Sequence, residues 1–185
     1  MQDEILNDAR ERMTKSVESV VRDFSAVRTG KATVALLDGV TVEAYGATMP
    51  LNQVATIAAP EPRLLVVQAF DKQTVGDIVK GIQVADLGLN PIVDGQTIRL
   101  PVPALNEERR KDLVKRCKQL AEDGRVAVRN VRRDANDQAK KAEKDKALSE
   151  DQAKDTMAEI QKVTDEKVKE IDDLLAKKEA EVMEV

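Results

Sequence analysis

From Glu107 to about Ala147 an apolar residue recurs every three or four positions, with one Gly and no Pro, which predicts a single long amphipathic helix. Leu113, Cys117, Leu120, Gly124, Ala127, Val131, Ala135 and Ala142 share its apolar face. Lys111, Lys118, Arg125, Arg129, Arg132, Asn136 and Lys140 share a second face roughly 120° away, a cationic stripe roughly 43 Å long at helical rise. Residues 1 to 29 repeat the pattern through Leu6, Ala9, Met13, Val17, Val20, Phe24 and Val27, ending at Thr29-Gly30, where a left-handed Gly30 would close the helix. A third helix starts at Ser149, spaced with Gln152 as a capping box, and lines up Met157, Ile160, Thr164, Val168, Ile171, Leu175 and Val182. Three such stripes can bury one another in an antiparallel three-helix bundle of residues 1–30 and 105–185.

The pattern changes between these helices. Residues 31–104 hold 12 of the 64 charged residues, all six prolines and six of the eight glycines, which marks an inserted second domain. Within it, 40–45 alternates as a strand, 53–58 reads as a weaker strand and 64–67 as a buried one, with Pro60-Glu61-Pro62 breaking the chain between the last two. Thr74 is placed to cap a short helix with Val75, Ile78, Val79 and Ile82 on one side. Asp94-Gly95 turns into a final strand at 97–100, and Pro101 and Pro103 stop further pairing. The expected fold class is α+β, a three-helix bundle with a small β/α/β insertion whose apolar surface is too sparse for high stability.

Composition narrows the function. The net charge of -4 excludes a general nucleic-acid coat, so any such contact must be local. There is no histidine and one cysteine, so the commonest general base and a thiolate metal site are both missing. Cys117 reads as a buried, reduced filler, which fits a cytoplasmic protein. No phosphate-binding loop, dinucleotide motif or nucleophile elbow occurs, no secretory signal is visible, and no apolar run reaches membrane-spanning length. Catalysis is not expected, nor is a cofactor. Of the aromatics Phe24, Tyr45 and Phe70, two lie on apparent core faces, so base stacking has no evident platform.

The cationic stripe is the candidate site. Most lysines have acids three or four positions away: Lys154 has Glu150, Lys162 has Glu159, Lys169 has Asp165 and Lys177 has Glu181. Arg129 and Arg132 have none at those offsets, and with Arg125 and Arg133 they stack like charges along the helix. Such a cluster costs its own helix stability and points to an external anion, for which arginine's planar fork suits a phosphate. The alternative is that an acidic neighbouring helix covers the arginines.

Over essentially its whole length the chain also resembles the bacterial-type ribosome recycling factor family. The resemblance rests on Arg28-Thr29-Gly30-Lys31-Ala32, Leu36-Leu37-Asp38-Gly39, Asp86-Leu87-Gly88-Leu89-Asn90-Pro91, Glu107-Glu108-Arg109-Arg110-Lys111 and 126–136. It implies an L-shaped molecule that binds the post-termination ribosome. With elongation factor G and GTP hydrolysed by that partner, it would split the subunits and release mRNA and tRNA. Carried over by position, Arg132 matches the family's arginine against large-subunit ribosomal RNA, with Arg129, Arg133 and Arg125 beside it and Arg28 at the end of the first helix. Thr29, Gly30, Lys31, Ala104, Leu105 and Asn106 would form a hinge, and a monomer is expected. Lys31 stands where arginine is usual, and Thr33-Val34 where Ser-Pro or His-Pro is common. A coiled-coil-like chaperone or assembly module is the competing reading, disfavoured by the charged tip at 144–150; an enzyme is weaker still.

Overall fold

The computed structural model describes residues 1–184, which fold as α+β. The chain divides into one unit of Met1–Thr29 with Glu107–Val185 and a second of Gly30–Asn106.

The first unit holds three helices: α1 (Gln2–Ala26), α3 (Glu107–Lys144) and α4 (Glu150–Met183). Arg12 meets Asp134 and Val20 meets Gly124, so α1 runs antiparallel to α3. Arg125 meets Asp172 and Arg132 meets Gln161, so α4 also runs antiparallel to α3. The core between them joins Ile5, Met13, Val20 and Phe24 to Cys117, Val128 and Val131, and to Ile160, Val163 and Ile171. The faces differ slightly from those predicted. Ile5 is buried on α1 with Leu6 packed partly buried beside it, while Ala121, Val128 and Ala139 are buried on α3 and Ala127 only partly, since real faces drift around an ideal wheel. Burial pushes the Cys117 thiol up, consistent with an inert core residue.

The helix ends show where local chemistry prevailed. At α4 both capping-box bonds form: Ser149 Oγ accepts from Gln152 N at 3.1 Å, and Gln152 Oε1 accepts from Ser149 N at 2.9 Å. α3 stops at Lys144, short of Ala147, with Lys146 left-handed at φ +60. α1 stops at Ala26 with an extended Val27, so Gly30 does not cap it. Gly30 is left-handed, φ +77, within the connecting segment, and a Cβ there would lie 3.0 Å from Leu105 Cγ. The two predicted crossings therefore lie side by side.

The second unit contains a hairpin of β1 (Thr41–Ala44) and β2 (Ala47–Pro50). It also has a four-stranded antiparallel sheet in the order β3 (Ala55–Glu61), β4 (Leu64–Ala69), β6 (Thr97–Pro101), β5 (Ile92–Asp94), with helix α2 (Val75–Val84). Leu65, Val67, Ile98 and Leu100 pack with Ile78 and Ile82 of α2 and Val42 of β1.

Several local expectations also change. β2 and β5 were not predicted. Pro60 does not break the chain but lies inside β3, an edge strand, where the register shifts between Ala58 and Glu61 and no ladder donor is needed. Pro101 pairs with Leu64, and Val102 still donates to the Arg63 carbonyl at 2.8 Å, so pairing runs past Pro101. Thr74 makes no side-chain cap. Buried, it donates from Oγ1 to the Asp71 carbonyl, and the Asp71 side chain accepts from Gln73 N. Of the aromatics only Phe24 is buried; Tyr45 and Phe70 are 69% and 63% exposed, with the Tyr45 hydroxyl donating to Asp71 Oδ2.

Candidate nucleic-acid interface

The four α3 arginines fan across about 100° of helix surface, with Arg125 and Arg132 nearest α4 and Arg129 and Arg133 turned outward. Val126 lies exposed among them. The bundle's one aromatic, Phe24, is buried, so this face offers charge and hydrogen-bond donors without a stacking ring.

Their surroundings differ from one end of the fan to the other. Arg125 is held by carboxylates at all three nitrogens. Nε and Nη2 reach Asp172 Oδ1 at 2.8 and 2.6 Å, Nη1 reaches Glu122 Oε2 at 3.0 Å, and the side chain is 19% exposed. Burial alone would lower its pKa, but Asp172 and Glu122 outweigh that and hold it above the ordinary value. At Arg125 the acidic-cover alternative therefore applies. Arg129, without an acid at three or four positions, is reached by Glu122 Oε1 at 3.5 Å from seven positions back; two full turns return to the same face, and two long side chains span the gap.

Arg132 and Arg133 have no such partner. Arg132 touches only the neutral Gln161 of α4, Nη1 to Oε1 at 3.4 Å, and Arg133 makes no hydrogen bond or ion pair among the described residues. Some exposed lysines elsewhere are matched as the spacing predicts, for example Lys154 with Glu150 and Lys162 with Glu159. Two expected pairs do not form. Asp165 is taken by Gln161 in place of Lys169, and Glu181 by Lys178 in place of Lys177. Arg12, which sequence reasoning missed, anchors α1 beside the site: Asp134, the residue after Arg133, holds it at 2.8 Å and raises its pKa, with burial opposing.

Arg28 is not part of the fan. The antiparallel pairing of α1 with α3 places it about four turns nearer the start of α3 than Arg132. Of the residues expected to form a hinge, Gly30 and Leu105 lie together within the second unit; Thr29 ends the first segment of the first unit and Asn106 ends the second unit.

The fold and this face define a two-unit α+β protein with an arginine-rich helical surface suited to a phosphate backbone. The model of the family "Ribosome recycling factor" matches residues 20–183. The chain is 52% identical to the ribosome-recycling factor of Symbiobacterium thermophilum over 185 residues, all of both chains, and 54% identical to that of Zymomonas mobilis over 176 residues, 95% of both. Among solved structures it resembles a solution structure of the ribosome recycling factor with TM-score 0.79 and 38% identity, covering 100% of this chain and 98% of that one. A second, with TM-score 0.65, 48% identity and full coverage of both, is described as models for the T. thermophilus ribosome recycling factor and E. coli elongation factor G bound to the E. coli post-termination complex. The chain belongs to the ribosome recycling factor family, and its function is ribosome recycling.

Proposed function

We propose that the bundle binds the ribosomal RNA of the large subunit through Arg129, Arg132 and Arg133. Arg28 adds a contact further along the bundle, and Arg125 acts as a strut that holds α3 to α4. The observation that carries this is the contrast along α3: Arg125 and Arg129 are each met by a carboxylate, whereas Arg132 and Arg133 meet none among the described residues. With no aromatic on that face, the RNA is read by shape and phosphate. The factor acts as a non-catalytic cytoplasmic monomer. Elongation factor G, found with a relative on the post-termination complex, supplies GTP hydrolysis and drives subunit splitting.

Binding to isolated large subunits should weaken steeply with salt, since each neutralised phosphate releases counterions. Arg132→Ala should cost roughly 1.5 to 3 kcal/mol of affinity, the worth of a charge-assisted contact. A flat salt response together with full affinity of Arg132→Ala would sink the assignment.

Splitting also needs a joint. The units part at Thr29/Gly30 and Asn106/Glu107, and Gly30 supplies a left-handed residue at one crossing, packed on Leu105 at the other. The proposed hinge is therefore Thr29-Gly30-Lys31 with Ala104-Leu105-Asn106, since hinges concentrate in a few element-terminal residues. A disulfide engineered between the units in a Cys117→Ser background should leave subunit binding intact and abolish splitting. Splitting at the normal rate when fully oxidised would show the joint to be passive.

A further inference from the structure

The two arginines nearest α4 are held differently, and the difference points to a residue that no motif marks. Arg125 faces a carboxylate, Asp172, while Arg132, two turns on, faces a carboxamide, Gln161. The orientation of that amide is fixed by its second bond. Gln161 Nε2 donates to Asp165 Oδ1 at 2.8 Å, one turn along α4, and an ionised carboxylate can only accept. The amide nitrogen must therefore point to Asp165, and Oε1 is left facing the Arg132 guanidinium.

Helix α3 itself offers Arg132 nothing equivalent. Asn136, one turn on, buries its Oδ1 without a hydrogen-bond partner, so the guanidinium does not turn toward it. The contact with Gln161 uses one of five N–H donors, and at 3.4 Å it is long. Arg132 is thus aimed but not neutralised, with at least four donors left.

We propose that Gln161, clamped by Asp165, is a positioning residue for Arg132. It holds the guanidinium along the α3–α4 groove in the pose that meets a phosphate, and being neutral it leaves the full positive charge for that phosphate. A carboxylate at the same place would turn Arg132 into a second Arg125. This rests on the reading of Arg132 as an RNA contact, and it assigns to α4 a part in the interface that the positive residues alone do not reveal.

The test compares Gln161→Ala, Gln161→Glu, Arg132→Ala and the double variant Gln161→Ala/Arg132→Ala for binding to isolated large subunits across a salt series, with melting temperatures alongside. Gln161→Ala should weaken binding about threefold and leave the slope of log K against log salt unchanged, because the charge remains and only its aim is lost. Gln161→Glu should weaken it about tenfold and flatten the slope by about one phosphate's worth, because the new ion pair competes with RNA. Neither should lower the melting temperature. The double variant should bind no more weakly than Arg132→Ala alone, as expected when one residue acts through the other. If Arg132→Ala weakens binding while both Gln161 variants bind as the parent does, or if the two losses simply add, Gln161 does not position Arg132. If Arg132→Ala itself binds normally, the failure is of the interface and the proposal falls with it.

Discussion

The bundle and the inserted unit each bring a helix up against a neighbour at a glycine, and they do so against different obstacles. In the bundle, a Cβ on Gly124 would overlap the Cγ2 methyl of Val20 on α1. In the inserted unit, a Cβ on Gly81 of α2 would lie 2.5 Å from the Thr41 backbone oxygen of β1. One obstacle is a side chain that substitution can remove; the other is a strand. The cores around them differ in the same sense. Helix against helix uses small residues such as Ala9, Ala121, Ala135 and Ala142, whereas helix against sheet is filled by Leu65, Leu100, Ile78, Ile82 and Ile98. Close approach in the bundle fixes α3 and hence the arginines; in the inserted unit it fixes α2 on the hairpin.

Gly81→Ala should have the largest effect. Alanine gains about 1 kcal/mol in helix propensity, but β1 must move to admit it, and overpacking of this kind costs roughly 1 to 3 kcal/mol or more. A net loss of about 2 kcal/mol is expected, with hydrogen exchange accelerated throughout the inserted unit and α3 amides protected as before. Loss of α3 protection as well would remove the distinction between the two units.

Gly124→Ala should cost less, about 1 kcal/mol, and should be the one that can be rescued. Val20→Ala removes the overlapping methyl, so the double variant should be more stable than the sum of the single losses by at least about 1 kcal/mol. No side-chain truncation should rescue Gly81→Ala. Denaturant unfolding of the four proteins decides this, and strict additivity at Gly124 would mean that the bundle adjusts by shifting whole helices.

The helix starts extend the comparison to a smaller scale. Ser149→Ala removes the hydroxyl that accepts from Gln152 N, while the Ser149 backbone N–H keeps Gln152 Oε1 as its acceptor, and should cost about 1 kcal/mol. Thr74→Val should cost less, since Thr74 caps nothing and the Asp71 carbonyl that its hydroxyl meets keeps the Thr74 backbone N–H as a donor at 3.1 Å. Equal losses in thermal melts would contradict these assignments.

What could be read from the sequence follows the same division. The bundle was legible because a 3.6-residue period sustained over three long segments has one economical solution, and because the Ser149/Gln152 box is purely local chemistry. The inserted unit was legible only in outline. The Pro60 bulge depends on β3 being an edge strand, and the exposure of Tyr45 and Phe70 follows from where the strands end, Tyr45 falling in the β1–β2 turn and Phe70 just past β4. Both depend on strand pairing. At the arginines, spacing along α3 identified the cluster but could not see across to α4. Asp172 and Gln161 lie 47 and 29 residues away from the arginines they hold. Counting acids at three and four positions pairs Glu122 with Arg125 but does not reveal that it also reaches Arg129, seven positions on.

That contrast within α3 gives the finest comparison. Arg125→Ala removes a largely covered guanidinium with carboxylates at all three nitrogens and leaves Asp172 and Glu122 without their cation. For a partly buried pair this should cost about 1 kcal/mol of stability, more than the typical exposed ion pair. Arg132→Ala removes one long contact with a neutral amide, relieves repulsion with Arg129 and Arg133, and substitutes the better helix former, so the change should be no more than about 0.5 kcal/mol in either direction. The binding order should be the reverse, Arg132→Ala losing far more affinity for large subunits than Arg125→Ala, when both are measured on the folded protein at one salt concentration. Two arginines seven residues apart on the same helix would then be separated by what α4 sets opposite each: a carboxylate that keeps one for the fold, and an amide that leaves the other for RNA. If Arg125→Ala weakened binding as much as Arg132→Ala while leaving stability unchanged, the ion pair with Asp172 would be a resting arrangement that opens on the ribosome, and the strut would belong to the interface after all.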